Sequence, residues 1–288
     1  MSLQSFNVEI VPESEWESLF EEVIKHKGTA IILGATDSGK STLIKYLIKR
    51  ILSKNIKVSL VDSDVGQSSL GLPGTITMKV FSDEKDLEDF RFERMFFVGA
   101  INPATKIPQI INGTKRMSDI CRERSDITLI DTSGLISGEV GIAFKLSKIK
   151  AINPEHVIAV QRHGELEHIL GPIETLNIYR IRTPAAAKIR SIATRTLYRK
   201  KKFNNYFSKD GTAEFLLYTN EAIFFYKDKP FSPKGGEFKG GTLIGLNHEE
   251  DTVALGIVVE ITDASITFES PIKSISKINR VVFGDIII

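Results

Sequence analysis

Apolar positions along this chain follow two rhythms. Trp16, Phe20, Val23 and Ile24 recur at helical intervals between Ser14 and Gly28, which predicts a short amphipathic helix. Residues 29–33 are then a continuous apolar run, suited to a strand buried on both faces, and residues 43–52 return to the helical interval. The exchange repeats. Residues 58–61, 95–98, 127–130 and 157–160 are short apolar runs that read as buried strands, with helical segments over 115–124 and 142–149 among them. Such alternation predicts a parallel sheet with helices on both faces. The charged stretch 83–94 reads as a surface excursion.

From Gly211 the rhythm shortens. Residues 214–218, 223–226, 254–261 and 265–268 are β-rich runs separated by Gly, Pro, Asn and Asp turns, which predicts a small all-β barrel or sandwich. The expected boundary lies near residues 210–211, giving a domain over 1–210 and a β domain over 211–288. No internal repeat or low-complexity tract interrupts this plan.

Composition narrows the class without naming it. The 288 residues are 42% hydrophobic and 26% charged, the proportions of an ordinary globular protein, and long enough for a core domain with a smaller module. A net charge of +2 is too small to argue for a nucleic-acid partner, so any basic footprint must be local. Cys121 is the only cysteine, which excludes an intramolecular disulfide framework or a cysteine zinc cluster and fits a reducing cytoplasm. The histidines show no metal spacing. The first residues lack the pattern of a secretory signal, and no stretch approaches the roughly 20 apolar residues needed to span a bilayer. A soluble cytoplasmic protein with no membrane partner is expected.

Between the first predicted strand and the following helix stands Gly34-Ala35-Thr36-Asp37-Ser38-Gly39-Lys40-Ser41-Thr42, which meets the phosphate-loop pattern G-x-x-x-x-G-K-[ST]. Its glycines allow a tight turn whose amides point at phosphates, and the helix adds its positive end. Lys40 is placed to reach the β- and γ-phosphates and Ser41 to bind Mg²⁺. The fold class is therefore α/β: a P-loop NTPase three-layer parallel sheet with helices on both faces, plus a small C-terminal all-β domain. The loop alone names no reaction, since GTPases, motor ATPases and kinases share it.

Other motifs must choose. The next strand ends in Asp62-Ser63-Asp64-Val65-Gly66-Gln67, and carboxylates there can hold Mg²⁺ or accept a proton from an attacking hydroxyl. Period-two alternation puts Asp62 and Asp64 on one side of the strand. A third strand ends in Asp131-Thr132-Ser133-Gly134, so metal duty stays divided between Asp131 and Asp62. Residues 131–134 also fit the GTPase pattern D-x-x-G, but no N-K-x-D occurs, so ATP is expected, with GTP still possible. Residues 180–202 carry Arg180, Arg182, Lys188, Arg190, Arg195, Arg199, Lys200, Lys201 and Lys202 with no acidic residue among them, a segment suited to phosphoryl groups or a polynucleotide backbone. Pro184 is expected to start a helix there, with Tyr198, Phe203, Tyr206 and Phe207 mainly as its anchors.

In this order the motifs resemble the Clp1/Grc3 family of polynucleotide 5′-hydroxyl kinases, in particular its compact archaeal-type members, over about residues 28–288. The family's Walker A looks like G-x-T-D-x-G-K-S-T, matching Gly34, Thr36, Asp37 and 39–42, with Ser38 inside it; its D-x-D-x-G-Q matches Asp62, Asp64, Gly66 and Gln67. The resemblance implies transfer of the γ-phosphate of ATP to the 5′-OH end of RNA or DNA, with Mg²⁺. It also implies Asp64 as general base, Lys40 and Ser41 as grips on phosphate and metal, and Gln67 as support of the metal site. Thr132, Ser133 and Gly134 would form a clasp facing the substrate end, and Arg190 and Arg195 a lid, about residues 182–208, that stabilises the transferring charge. Two departures stand out. Leu135 replaces the Trp that follows the clasp glycine in many members, and only a short segment precedes the loop, where larger eukaryotic members carry a β domain. The alternative reading is a nucleotide-dependent RNA-binding or assembly protein with weak ATPase or GTPase activity and no kinase chemistry.

Overall fold

The structure, a computed structural model, describes residues 10–174, 176–208 and 211–288. The boundary expected near residue 210 thus falls partly outside the described residues, as do residues 1–9.

The predicted first helix forms as α1 (Ser14–His26), with Glu15 and Glu17 in its first turn and Lys25 and His26 in its last, as the helix dipole favours. β1 (Gly28–Gly34) follows. Its side chains alternate between two apolar layers. Ala30 and Ile32 meet α1 and α2 (Lys40–Leu52) through Trp16, Phe20, Leu43 and Leu47, while Ile31 and Leu33 face the opposite layer. That second layer is built by α3 (Ile107–Arg122) and α4 (Gly138–Ile152) through Ile110, Met117, Phe144 and Ile149. Fully burying such a side chain contributes about 1.5–3 kcal/mol, so the sandwich holds the strand rigidly.

β2 (Val58–Ser63), β5 (Ile127–Thr132), β1, β6 (His156–Gln161) and β7 (Asn177–Arg182) run parallel in that order, which puts the ends of β1, β2 and β5 side by side. The run at residues 95–98 departs from expectation. β3 (Thr75–Phe81) pairs antiparallel with β2, and β4 (Arg94–Phe97) antiparallel with β3, so this strand leaves the parallel block. β3 and β7 are further strands that the apolar runs did not announce: Thr75, Thr77 and Lys79 break the first, and Arg180 and Arg182 the second. A four-residue helix, α5 (Glu167–Leu170), lies between β6 and β7.

After α6 (Ile192–Tyr206) the chain is all β: β8 (Ala213–Tyr218), β9 (Ile223–Tyr226), β10 (Lys229–Phe231), β11 (Thr242–His248), β12 (Asp251–Ile261), β13 (Ser265–Ser270) and β14 (Arg280–Ile287). β12 pairs with β4 at Thr252 and Met95, which joins this module to the first sheet. The joint is packed around Phe97. A Cβ on Gly245 would lie 2.6 Å from its ring and one on Gly284 2.9 Å from it, so only glycine admits the ring there. Phe203 of α6, Leu243 and Leu255 complete this cluster.

Candidate functional site

The glycine loop turns from the end of β1 into α2. A Cβ on Gly34 would lie 2.5 Å from Ser38 Oγ and 2.7 Å from the Val160 carbonyl, so crowding demands glycine there. At Gly39 the demand comes from the backbone: φ is +95°, and a Cβ would also meet Pro184 at 2.8 Å. No side chain caps α2, whose first amides stay available to an anion. A cavity of about 490 Å³ opens over the loop, lined by residues 36–42 together with Lys45, Asp64, Gln67, Ser69, Arg190 and Tyr198. Lys40 donates from Nζ to the carbonyls of Gly34 (3.0 Å) and Ala35 (2.8 Å). Burial lowers its pKa, against the pull of Asp131, Asp64 and Asp37.

The carboxylates divide. Asp62 is fully buried; its Oδ2 accepts from Ser68 Oγ, Ser69 N, Ser69 Oγ and Leu70 N, and its Oδ1 from Asp64 N. It fastens the loop after β2 and does not line the cavity. Asp64, two residues on and past the strand end, does line it, with Oδ1 accepting from Gly66 N and Gln67 N. Alternation along β2 therefore does not bring Asp62 and Asp64 to the same place, because the strand ends at Ser63. Asp131 accepts from Ser41 Oγ at 2.7 Å through Oδ2, while its buried Oδ1 has no partner. Burial first, then the nearby Asp62 carboxylate, pushes Asp131 up to about 7; burial likewise raises Asp62. Gln67 keeps a buried, unpartnered Oε1 while its Nε2 donates to Gly66 O. The unpartnered oxygen of Asp131, beside the Ser41 hydroxyl, and that of Gln67, which with Ser41 lines the cavity, are oxygen donors of the kind a hard cation takes.

The segment expected to form a clasp is largely interior. Thr132 Oγ1 donates to the Ile32 carbonyl and accepts from Lys145 Nζ, which also donates to the Ser133 carbonyl at 2.6 Å. Gly134 presses on Thr36: a Cβ there would lie 2.7 Å from the Thr36 Cα. Leu135 packs partly buried against the α3–α4 layer. Lys145 and Lys148 of α4 were not singled out from sequence, yet both are fully buried, and Lys148 donates to Ser63 Oγ. Burial brings Lys148 down to about 7 and Lys145 well below its ordinary value, the second aided by the charge of Lys148. Their signal was available: with Gly141, Phe144, Ile149 and Ile152 they occupy the inward face of α4, where lysine needs a partner.

The basic segment is not a helix from Pro184. Ala187 N bonds the Pro184 carbonyl in a turn, and α6 begins only at Ile192, where the Ser191 hydroxyl accepts from Thr194 N. Arg182 belongs to β7. Arg190 and Arg195 both reach Asp37: Arg190 through its backbone N and Nε, Arg195 through Nη2, each at 2.8 Å. Burial pushes the Asp37 carboxyl up, but these bonds outweigh it and hold the pKa low. Asp37 sits at φ +59°, a left-handed position that aspartate tolerates. Tyr198 donates to the Ser68 carbonyl, Lys202 to those of Ser69 and Gly71, and Tyr206 accepts from Leu255 N. α6 is thus anchored to the loop that Asp62 organises by Tyr198 and Lys202, and to β12 by Tyr206.

Among the described residues no helix is long and apolar enough to cross a membrane. Cys121 is buried, and burial raises its thiol to about 11, as for a packed cysteine.

Known proteins agree with this architecture. The polyribonucleotide 5′-hydroxyl-kinase of Pyrococcus horikoshii is 33% identical over 209 residues, 70% of this chain and 56% of that protein. The corresponding protein of Methanocaldococcus jannaschii is 36% identical over 200 residues, 68% of this chain and 55% of that one. The chain therefore matches little more than half the length of these relatives. In a solved Clp1p–Pcf11p complex, a chain superposes with a TM-score of 0.72 at 12% identity, covering 95% of this chain and 79% of that one, a likeness of fold. Residues 34–209, from the first loop glycine past α6, match the family described as mRNA cleavage and polyadenylation factor CLP1 P-loop, and the chain belongs to that family.

Proposed function

We propose that this chain is an ATP-dependent polynucleotide 5′-hydroxyl kinase, moving the γ-phosphate of ATP to the 5′-OH end of RNA or DNA. One observation carries the reading: Lys40, Asp64 and Arg190 line a single cavity over the glycine loop. The names of the relatives, polyribonucleotide kinases, favour RNA.

Ser41 and Asp131 would hold Mg²⁺, with Gln67 in support, and Asp62 organises the loop without touching the ion. Bound there, the cation offsets negative charge on the β- and γ-phosphates. Asp64, positioned by the amides of Gly66 and Gln67, takes the proton of the attacking 5′-OH. Lys40 exchanges the Gly34 and Ala35 carbonyls for phosphate oxygens. Arg190 and Arg195 exchange Asp37 for the transferring group, whose charge they stabilise. Lys145 keeps Thr132 and Ser133 at a fixed height beneath the substrate end, so these act through their backbone and Gly134 more than through the Thr132 hydroxyl.

The test is transfer of label from γ-labelled ATP to 5′-OH oligonucleotides of RNA and DNA in Mg²⁺. The expected result is labelled 5′ ends, with Asp64→Asn slowing transfer about 10²–10⁴-fold while nucleotide binding persists. Leu135, partly buried against the α3–α4 layer, is the observation favouring the second reading, a nucleotide-dependent RNA-binding or assembly protein. Tight ATP retention with no label on any 5′-OH end would establish that one instead.

A further inference from the structure

Among the described residues, the buried side-chain atoms without a hydrogen-bond partner include two groups, besides others scattered through the interior. One is the phosphate site, with Ser38 Oγ, Gln67 Oε1, Asp131 Oδ1 and Arg195 Nε. The other lies between α3 and the β module, where Gln109 Oε1, Asn247 Oδ1 and Arg280 Nε belong to residues lining a separate cavity of about 250 Å³. Native interiors leave few such atoms, and three around one cavity call for something to bond them. Two further facts mark a built site. Asn247 and Lys106, both on its wall, are each only 6% exposed. Lys106 also stands 3.8 Å from its carboxylate neighbour, Asp285 Oδ2, beyond hydrogen-bond reach.

The lining selects a chemical class. Lys106, Lys227 and Arg280 are offset by Asp228 and Glu250, so the charges nearly balance, and neither a phosphate nor a metal ion is favoured. What remains is a set of amide oxygens that accept and cationic nitrogens that donate, in a wall that also includes Phe96, Val98 and Val282. A flat, uncharged ring with donors and acceptors on its edge answers that description, which is a nucleobase. The volume lies below the roughly 300–1,000 Å³ of pockets that enclose whole ligands, and so suits one base better than a nucleotide with its phosphates.

The position relates it to the first cavity. Ile101, exposed on the segment leading into α3, lies against Gly66, where a Cβ would come within 3.1 Å of its carbonyl oxygen. Gly66 adjoins Gln67 on the wall of the phosphate cavity, and Lys106 and Gln109 follow Ile101 at the start of α3. The chain from Ile101 to Gln109 therefore runs from beside the first cavity to the wall of the second. We propose that the second cavity receives one base of the polynucleotide, downstream of its reacting 5′ end. This rests on the kinase reading for the identity of the strand.

The experiment uses the full chain and two variants outside the phosphate site, Gln109→Ala and Asn247→Ala. Binding of 5′-OH oligonucleotides is followed by anisotropy, with an abasic position walked along the strand. KM and kcat are measured for the oligonucleotide and for a mononucleoside 3′-phosphate. Each variant is expected to raise Kd and KM for the oligonucleotide about tenfold, as for a lost hydrogen bond of about 1.4 kcal/mol, with kcat unchanged and the mononucleoside unaffected. One abasic position should reproduce that loss in the wild type and add nothing in the variants. Gln109→Ala changes a helix-surface residue and keeps the test open even where Asn247→Ala fails to fold. Equal losses for both acceptors, no sensitive abasic position, or displacement only by free adenosine or uridine would each overturn the assignment. Oligonucleotide binding that shows the abasic signature without any phosphate transfer would keep the base site and remove the kinase reading.

Discussion

Asp62 and Asp131 are register partners at the ends of β2 and β5, and both are buried. At the end of β2 the carboxylate is saturated: loop amides and serine hydroxyls approach both oxygens, and α6 is anchored on the loop they hold. At the end of β5 one oxygen meets Ser41 and the other meets nothing. The same residue type, at matched places on neighbouring strands, holds the backbone in one and keeps an oxygen without a partner in the other. Hydrogen-bond accounting separates the two roles where strand position does not.

Substitutions break the comparison most directly at Asp131. Asp131→Asn is expected to weaken Mg²⁺-dependent nucleotide binding about 10–100-fold, read by titration with and without the ion, with little loss of stability because a burial-strained carboxylate disappears. Asp62→Asn should reverse the pattern. Removing acceptors from Ser68, Ser69 and Leu70 is expected to cost about 2–3 kcal/mol, seen as a lower urea midpoint, with a smaller effect on the ion. Equal losses of Mg²⁺ affinity in the two variants would show that the division is wrong.

A smaller effect sharpens the β2 side. Burial brings Lys202 from its ordinary 10.5 to about 8, against the pull of Asp62. Between those values the unfolded chain binds the proton and the folded one does not, so stability should rise with pH across that window. Below about 8 this contribution stays flat. Urea unfolding at stepped pH should show the rise in the wild type and a shallower rise in Lys202→Met, where the buried Lys40, Lys145 and Lys148 still contribute.

Much of this was legible beforehand. The glycine loop, its strand and its helix follow from local spacing, and the apolar runs at 58–61, 127–130 and 157–160 are parallel strands because burial on both faces leaves a continuous apolar signature. Among the strands that escaped, β3 and β7 carry buried threonines or surface arginines whose partners are distant in sequence. Pro184 misled because it is a turn residue packed on Gly39, and the helix waits for the Ser191 cap. In the candidate site, motif order singled out Asp64, Lys40 and Arg190. It could not say that Asp62 is occupied, that Thr132 is interior, or that Lys145 and Lys148 bond Thr132, Ser133 and Ser63 from within. Those are facts of side-chain bonding across elements, and no spacing along one strand encodes them.

The seat of Phe97 among glycines has a consequence for how the chain should be divided. A segment ending with α6 would contain every residue of the phosphate loop and both sandwiching layers, yet β4 would lose β12, one of its two neighbours, and Phe97 its socket. The first half shares part of its interior with the half that follows, so a cut at the change of texture near Gly211 is expected to lay the Phe97 cluster open.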